Sequence, residues 1–208
     1  MAHDKSQILL IGAGGHAASC IDVIESQGCY EIVGLIVKED EVGREFLGYP
    51  VLGCDSDLER LATRFPLAFV AFGAIDKPET RLSMIERLMY AGFKMPTIVA
   101  STAYVSPRAK IGQGTIVMHG VVINAEVRIG RNCIINSNVL IEHDSSVGEY
   151  CHISTGVIIN GKTTIGDNCF IGSGCVVRNG ISVGPDCFVG MAQNLVQDLP
   201  AQSRITKS

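Results

Sequence analysis

VSPRAKIGQGTIVMHGVVINAEVRIG, residues 105–130, places an Ile or Val at every sixth position: Val105, Ile111, Val117, Ile123 and Ile129. The series continues without a miss through Ile135, Ile141, Val147, Ile153, Ile159, Ile165, Ile171, Val177, Val183 and Val189, and Leu195 extends it. A second period of eighteen lies over the first, because Gly112, Gly130, Gly148, Gly166 and Gly184 each follow a ladder residue. Three hexapeptides therefore make one unit, and self-similarity at a fixed period marks a β-helix. Each short strand turns one apolar residue inward before the chain rounds a corner. Glycine accepts positive φ without steric cost, and that is the role expected of the five glycines.

The positions two before the ladder agree. Ala109, Thr115, Val121, Val127, Cys133, Val139, Ser145, Cys151, Val157, Thr163, Cys169 and Cys175 are all small or β-branched. Period-2 alternation puts them on the inward face beside the ladder residues. About five coils at roughly 4.8 Å each predict a prism near 25 Å tall. Cys133, Cys151, Cys169 and Cys187 lie eighteen apart and so form one vertical column. A disulfide or metal column is one reading, and small buried thiols are the other. With no CxxC pair in the chain, the second is favoured.

With 47% hydrophobic and 18% charged residues in 208, the composition is that of an ordinary globular protein. A net charge of −4 argues against a nucleic-acid-binding surface. The opening Met-Ala-His-Asp-Lys-Ser-Gln lacks the form of a signal peptide, and no apolar run approaches the length of a membrane span. A cytoplasmic protein without membrane insertion is expected.

Ahead of the ladder, strands and helices alternate. Residues 7–12 read as a buried strand opening on a glycine turn, and an apolar-periodic helix follows through Ala17, Cys20, Ile21 and Ile24. Strands are expected at 31–37, 67–72 and 94–99, helices near 56–64 and 79–91, and a turn-rich stretch at 48–53. Such alternation implies a parallel sheet. Residues 1–100 are thus expected to form a Rossmann-like domain, and 101–208 the β-helix. Gly12, Gly14 and Ala17 satisfy G-x-G-x-x-[GA] between strand and helix, where glycines admit close backbone approach and the helix start attracts an anion. A nicotinamide dinucleotide, another nucleotide-linked ligand and a purely structural turn all fit this motif. The nicotinamide reading wants an acidic residue at the end of the second strand, where Val37 stands with Lys38, Glu39 and Asp40 beyond it.

Chemistry is expected at His143, in Ile141-Glu142-His143-Asp144, just past a ladder position and free to point outward. An acidic neighbour can hold one imidazole tautomer and raise its basicity. His152 falls half a coil away, on a different part of the prism. His16 sits at the start of the first helix, within reach of a ligand on the turn. A zinc site between subunits would draw on His119, His143 and His152, but their spacing offers no local ligand pair. Solvated surface histidines are the plain alternative.

A Rossmann-like domain opening on Gly-Ala-Gly-Gly-His, followed by hexapeptide repeats containing Ile-Glu-His-Asp, resembles the family of acetyltransferases that act on nucleotide-linked 4-amino sugars, as in bacillosamine or perosamine pathways. Close relatives in that family are sialic-acid O-acetyltransferases. The match spans nearly the whole chain. The resemblance implies a left-handed β-helix, a homotrimer with active sites between neighbouring subunits, acetyl-CoA as co-substrate and no metal. It assigns His143 as general base with Asp144 as its acidic partner, His152 near the acetyl group of the coenzyme, and Gly161 as the amide that meets the thioester carbonyl. Gly12, Gly14, Gly15 and His16 match the nucleotide-sugar turn, and Gly73 lines the same pocket. The family commonly has Asp where Val37 stands, which passes that contact to Lys38 or Asp40.

The expected reaction is direct transfer of acetyl from acetyl-CoA to the 4-amino group of a UDP-linked amino-dideoxy sugar in bacterial glycan synthesis. A sialic-acid O-acetyltransferase and a non-catalytic nucleotide-sugar-binding protein are the alternatives.

Overall fold

The computed structural model describes residues 5–73 and 78–206 and divides into two compact units, Met1–Pro96 and Thr97–Ser208. In the first unit the chain runs β1 (Ser6–Ile11), α1 (Gly15–Gln27), β2 (Tyr30–Val37), β3 (Glu45–Phe46), β4 (Tyr49–Cys54), α2 (Leu58–Ala62), β5 (Leu67–Val70) and α3 (Pro78–Tyr90). The sheet order is β3-β4-β2-β1-β5, parallel except where β3 meets β4. Ile8 to Ile11 are buried without interruption, as a central parallel strand covered on both faces requires. Helix α1 buries Ala17, Cys20, Ile21, Val23 and Ile24, and ends on Gly28 at φ 71°.

Two expectations for this unit change. The stretch read as turn-rich contains strand β4, paired with β3 through Leu47 and Gly48. Both of those residues have positive φ, the signature of a tight two-residue hairpin turn. The strand expected at 94–99 does not exist as one element. Lys94 makes an isolated bridge to Leu67, while Ile98–Val99 pairs with Ile116–Val117 in the second unit. Pro96 between them has no N–H to give a ladder. Val99 lies six residues before Val105, so the hexapeptide period begins one rung earlier than Val105.

The second unit is a parallel β-helix of two-residue strands in three sheets, each strand paired with the one eighteen residues away. Its core is the ladder itself together with the residues two before each rung, all within a few per cent of full burial from Val117 to Val189. The last coil is cut short. After Leu195, Leu199 bridges Val183, and Arg204–Ile205 pairs with Phe188–Val189.

The glycines after the ladder residues do not have the role expected of them. Gly112, Gly130, Gly148, Gly166 and Gly184 all lack positive φ. A Cβ on Gly112, Gly130, Gly166 or Gly184 would instead meet backbone atoms of the next coil at 2.5–2.7 Å. They are glycine because the coils stack too closely there for a side chain. The left-handed conformation falls three residues after a ladder residue, at Glu126, Asn132, Asn138, Asp144, Tyr150, Lys162, Asn168 and Asp186, with φ of 56–62°. Asn and Asp take this conformation more readily than most side chains, which accounts for their frequency at the corners.

The polar interior positions have a use that size alone does not suggest. Thr115 Oγ1 donates to Gly130 O at 2.9 Å, Ser145 Oγ to Asn160 O at 3.0 Å and Thr163 Oγ1 to Arg178 O at 3.1 Å. Cys133, Cys151 and Cys169 donate their thiols to Gly148 O, Gly166 O and Gly184 O, each at 3.1 Å. Each hydroxyl or thiol gives a donor to a part-buried corner carbonyl fifteen residues on, tying adjacent coils together. The cysteine column is free thiol throughout.

Candidate functional site

Corner geometry positions His143. The strand Leu140–Ile141 ends, Glu142 follows, and His143 and Asp144 form the turn before Ser146–Val147. Asp144 takes the left-handed corner conformation at φ 61°, and its Oδ2 lies 2.8 Å from His143 Nδ1. The imidazole is 58% exposed and the carboxylate 49%. With Nδ1 held by the carboxylate, Nε2 is the ring nitrogen left to meet a ligand. His143 lines a cleft of about 450 Å³ together with Glu142, Asn160, Gly161, Lys162 and Asn179.

Gly161 lies directly against the ring. A Cβ there would sit 3.0 Å from both Cε1 and Nε2 of His143. The two positions are eighteen residues apart and stack on adjacent coils, with Lys162 N–H donating to His143 O at 3.0 Å. Gly161 O accepts from Gly180, but among the described residues the Gly161 N–H donates to no acceptor. At the equivalent corner positions Ser137 and Glu149 give theirs to Asn136 Oδ1 and Asp167 Oδ1. The cleft thus joins an oriented imidazole to an available backbone donor, the two components of base-assisted acyl transfer.

The other histidines stand apart. His152 opens a strand on another sheet, 4% exposed, with its ring edge-on to Phe170 at 5.2 Å between centroids. Within the chain it does not join His143. His119 stands at a further corner, its Nδ1 2.9 Å from Thr102 Oγ1. Among the described residues no three His, Cys, Asp or Glu side chains converge as metal ligands, so His119, His143 and His152 are not brought together.

In the first unit the remaining candidates gather at the carboxyl ends of β1, β2 and β5. The chain leaves β1 to one side for β2 and returns to its other side for β5. Ligands of open α/β sheets bind at such a switch point. Gly12 follows β1 at φ 107°, its N–H bonded to Ile36 O, and a Cβ on it would press on Phe72. Gly14 and Gly15 face open space, as does Gly73 beyond β5. Val37 is 6% exposed, a core residue at the end of β2, and Lys38 after it is the first solvent-exposed side chain. His16, in the first turn of α1, has its pKa lowered to about 4 by burial and then by the charge of Arg81, so it is neutral near pH 7.

Arg81 is a residue that the sequence reading missed. It is 4% exposed, and its Nη1 donates to Val70 O and Phe72 O, both at 2.7 Å, tying down the end of β5 that leads into Gly73. The signal was present, since Arg81, Met84, Ile85 and Leu88 share one helical face and a cation interrupts an otherwise apolar stripe. A larger groove of about 610 Å³ between α2 and α3 holds none of the candidate residues. Its lining mixes the Arg87–Asp55 ion pair, Glu59 and Glu86 with serines and apolar side chains, so size does not mark the site here.

Residues 7–88 match the PglD N-terminal domain. Residues 108–143 and 126–161 match the bacterial transferase hexapeptide (six repeats), and 162–192 the hexapeptide repeat of succinyl-transferase. Comparison with curated protein sequences gives no match. Among solved structures, a histidine-to-asparagine mutant of perosamine N-acetyltransferase from Caulobacter crescentus, in complex with CoA and GDP-perosamine, is 31% identical. It aligns over 96% of this chain and 92% of that one with a TM-score of 0.89. The acetyltransferase domain of PglB from Neisseria gonorrhoeae, in complex with acetyl coenzyme A, is 30% identical over 96% of this chain and 95% of that one, with a TM-score of 0.87. WeeI from Acinetobacter baumannii, 20% identical over 96% of each chain at a TM-score of 0.82, shares the fold.

Proposed function

Because the chain belongs to the hexapeptide-repeat family of nucleotide-sugar N-acetyltransferases, we propose that it carries acetyl from acetyl-CoA to the 4-amino group of a nucleotide-linked amino-dideoxy sugar, with His143 as general base. The observation that carries this reading is the pairing of His143 Nδ1 with Asp144 at 2.8 Å while the ring's other edge rests on Gly161.

The neutral amine attacks the thioester carbonyl and an N–C bond forms. His143 Nε2 accepts the proton that the nitrogen must lose, and Asp144 balances the imidazolium. The Gly161 N–H donates to the carbonyl oxygen as charge develops on it, a contribution of about 3 kcal/mol for one such donor. The C–S bond then breaks, and the imidazolium proton restores the thiol of CoA. No covalent enzyme intermediate is needed, because thiolate is a good leaving group. His152, between Ile134 and Phe170 in its column, is assigned to the acetyl end of the coenzyme. Gly12, Gly14, Gly15, His16, Lys38 and Gly73 are assigned to the nucleotide sugar. The open space before Gly14 and Gly15 supports that assignment. UDP remains our choice of nucleotide, and GDP is the alternative suggested by the relative bound to GDP-perosamine.

We also assign a homotrimer. The outward residues of one sheet are polar: Lys110, Arg128, Ser146, Thr164 and Ser182. Those of a second are Tyr104, Val122, Leu140, Ile158 and Val176, an apolar row suited to a second copy. In solution the assembly should have three times the 22.2 kDa of one chain.

The test is CoA thiol release over a panel of UDP- and GDP-linked 4-amino sugars and free sialic acid. Turnover with one 4-amino sugar, with kcat lowered about 10²–10⁴-fold by His143→Ala, is expected. A His143→Ala variant with wild-type kcat removes His143 from the reaction, and turnover on sialic acid alone transfers the protein to the O-acetylating branch.

A further inference from the structure

Two carboxylates flank His143 in the sequence, and the structure engages them differently. Asp144 is taken up by the imidazole. Glu142 is half-buried before the corner, its Oε2 accepting a hydrogen bond from Asn124 Nδ2 at 2.9 Å, one coil back. Its backbone is fixed by donation to Ile159 O at 2.9 Å. Glu142 also lines the cleft that holds His143 and Gly161. Of the remaining lining residues, Asn160 commits its amide to Val177 O, Asn179 is neutral, and Lys162 is an exposed cation weakened by solvent. Glu142 is therefore the fixed charge beside the base that the base itself does not use.

We propose that Glu142 determines specificity for an amine acceptor over a hydroxyl of the same shape, an inference that rests on the acetyl-transfer reading above. An amine flanked by electron-withdrawing carbons titrates near 8, by analogy with the α-amino group, so it reaches the site largely as a cation. A hydroxyl arrives neutral at every pH of interest. The two acceptors differ little in volume, and an apolar wall would barely tell them apart. A positioned carboxylate distinguishes them by charge. It also holds the ammonium in the cleft, where the nitrogen gives its first proton to solvent before attack, so that His143 Nε2 is free for the proton lost on acylation. The Asn124 amide keeps the carboxylate in place in the absence of substrate, so little ordering is left for binding to accomplish.

Glu142→Gln tests this in the full-length protein, because the amide oxygen can still accept from Asn124 while the charge is gone. Dissociation constants would be measured by calorimetry for the UDP- or GDP-linked 4-amino sugar that the wild type turns over, and for its 4-hydroxy counterpart, between pH 6 and 8.5. The variant should bind the amine about 10- to 100-fold more weakly at pH 7. Its affinity for the hydroxyl counterpart should stay within about 3-fold of wild type, since the Asn124 contact survives. The tightening of amine binding toward low pH should flatten. Equal weakening of both ligands would identify a merely structural role and overturn the proposal, as would unchanged affinity for the amine. If the wild type turns over no 4-amino sugar, the acetyl-transfer reading fails and this proposal fails with it.

Discussion

Gly161→Ala isolates the contact on which the catalytic reading depends. The backbone tolerates the substitution, because Gly161 is not among the positive-φ residues. The new Cβ would stand 3.0 Å from Cε1 and Nε2 of His143, inside the 3.5–4.0 Å optimum for carbon contacts, so the ring must withdraw by roughly 0.5–1 Å. The imidazole is 58% exposed and has room to swing outward, so most of the strain is relieved in a side chain, while the His143 carbonyl oxygen, 3.3 Å from the Cβ, asks only a small shift of the coil. A catalytic group misplaced by about 1 Å can lose about 100-fold in rate, so kcat should fall about 10- to 100-fold with stability changed by less than about 1 kcal/mol. Gly130→Ala is the control. Its Cβ would strike Glu149 N and Gly148 C at 2.7 Å, backbone that cannot swing aside, and should destabilise by about 1–3 kcal/mol. The assay pairs CoA thiol release at saturating substrates with urea unfolding of both variants. Wild-type kcat in Gly161→Ala would refute the ring's placement. A loss of stability matching that of Gly130→Ala would refute the claim that the His143 ring takes up most of the clash.

Two further outcomes follow from the burial of polar groups. With His16 at about 4 in the folded chain against 6.5 unfolded, the unfolded state takes up the proton first as pH falls. The stability held by the neutral ring is complete above pH 6.5 and is lost as pH drops toward 4, by about 2 kcal/mol between pH 6.5 and 5. Denaturant midpoints of His16→Gln across that range should show a shallower fall than wild type, and parallel curves would contradict the assignment. Thr163→Val should destabilise by about 1–3 kcal/mol, because the Arg178 carbonyl loses the hydroxyl that donates to it. Thr163→Ser should stay near wild type in the same urea titration.

The two architectures and the position of the catalytic candidate were legible in the chain, because both rest on local rules. A rung every six residues makes each strand's inward face a matter of counting, and Gly12-Ala13-Gly14 between a buried strand and a helix signals its turn in the same way. His143 beside Asp144 could be picked out because adjacent residues are adjacent in any fold. What counting could not supply was contact across coils. The ladder glycines looked like corner residues, yet they are glycine because Arg131, Glu149 or Pro185 backbone passes within reach of a Cβ. Thr115, Cys133 and Thr163 looked merely small, and their donation to carbonyls fifteen residues on becomes visible only once the coils are stacked. Arg81 could be seen on an apolar stripe, but not that it reaches Val70 and Phe72. Sequence period determined which residues face inward. Only the tertiary structure decided what each of them meets there, because the spacing between coils is set by packing and hydrogen bonding of segments distant in the chain.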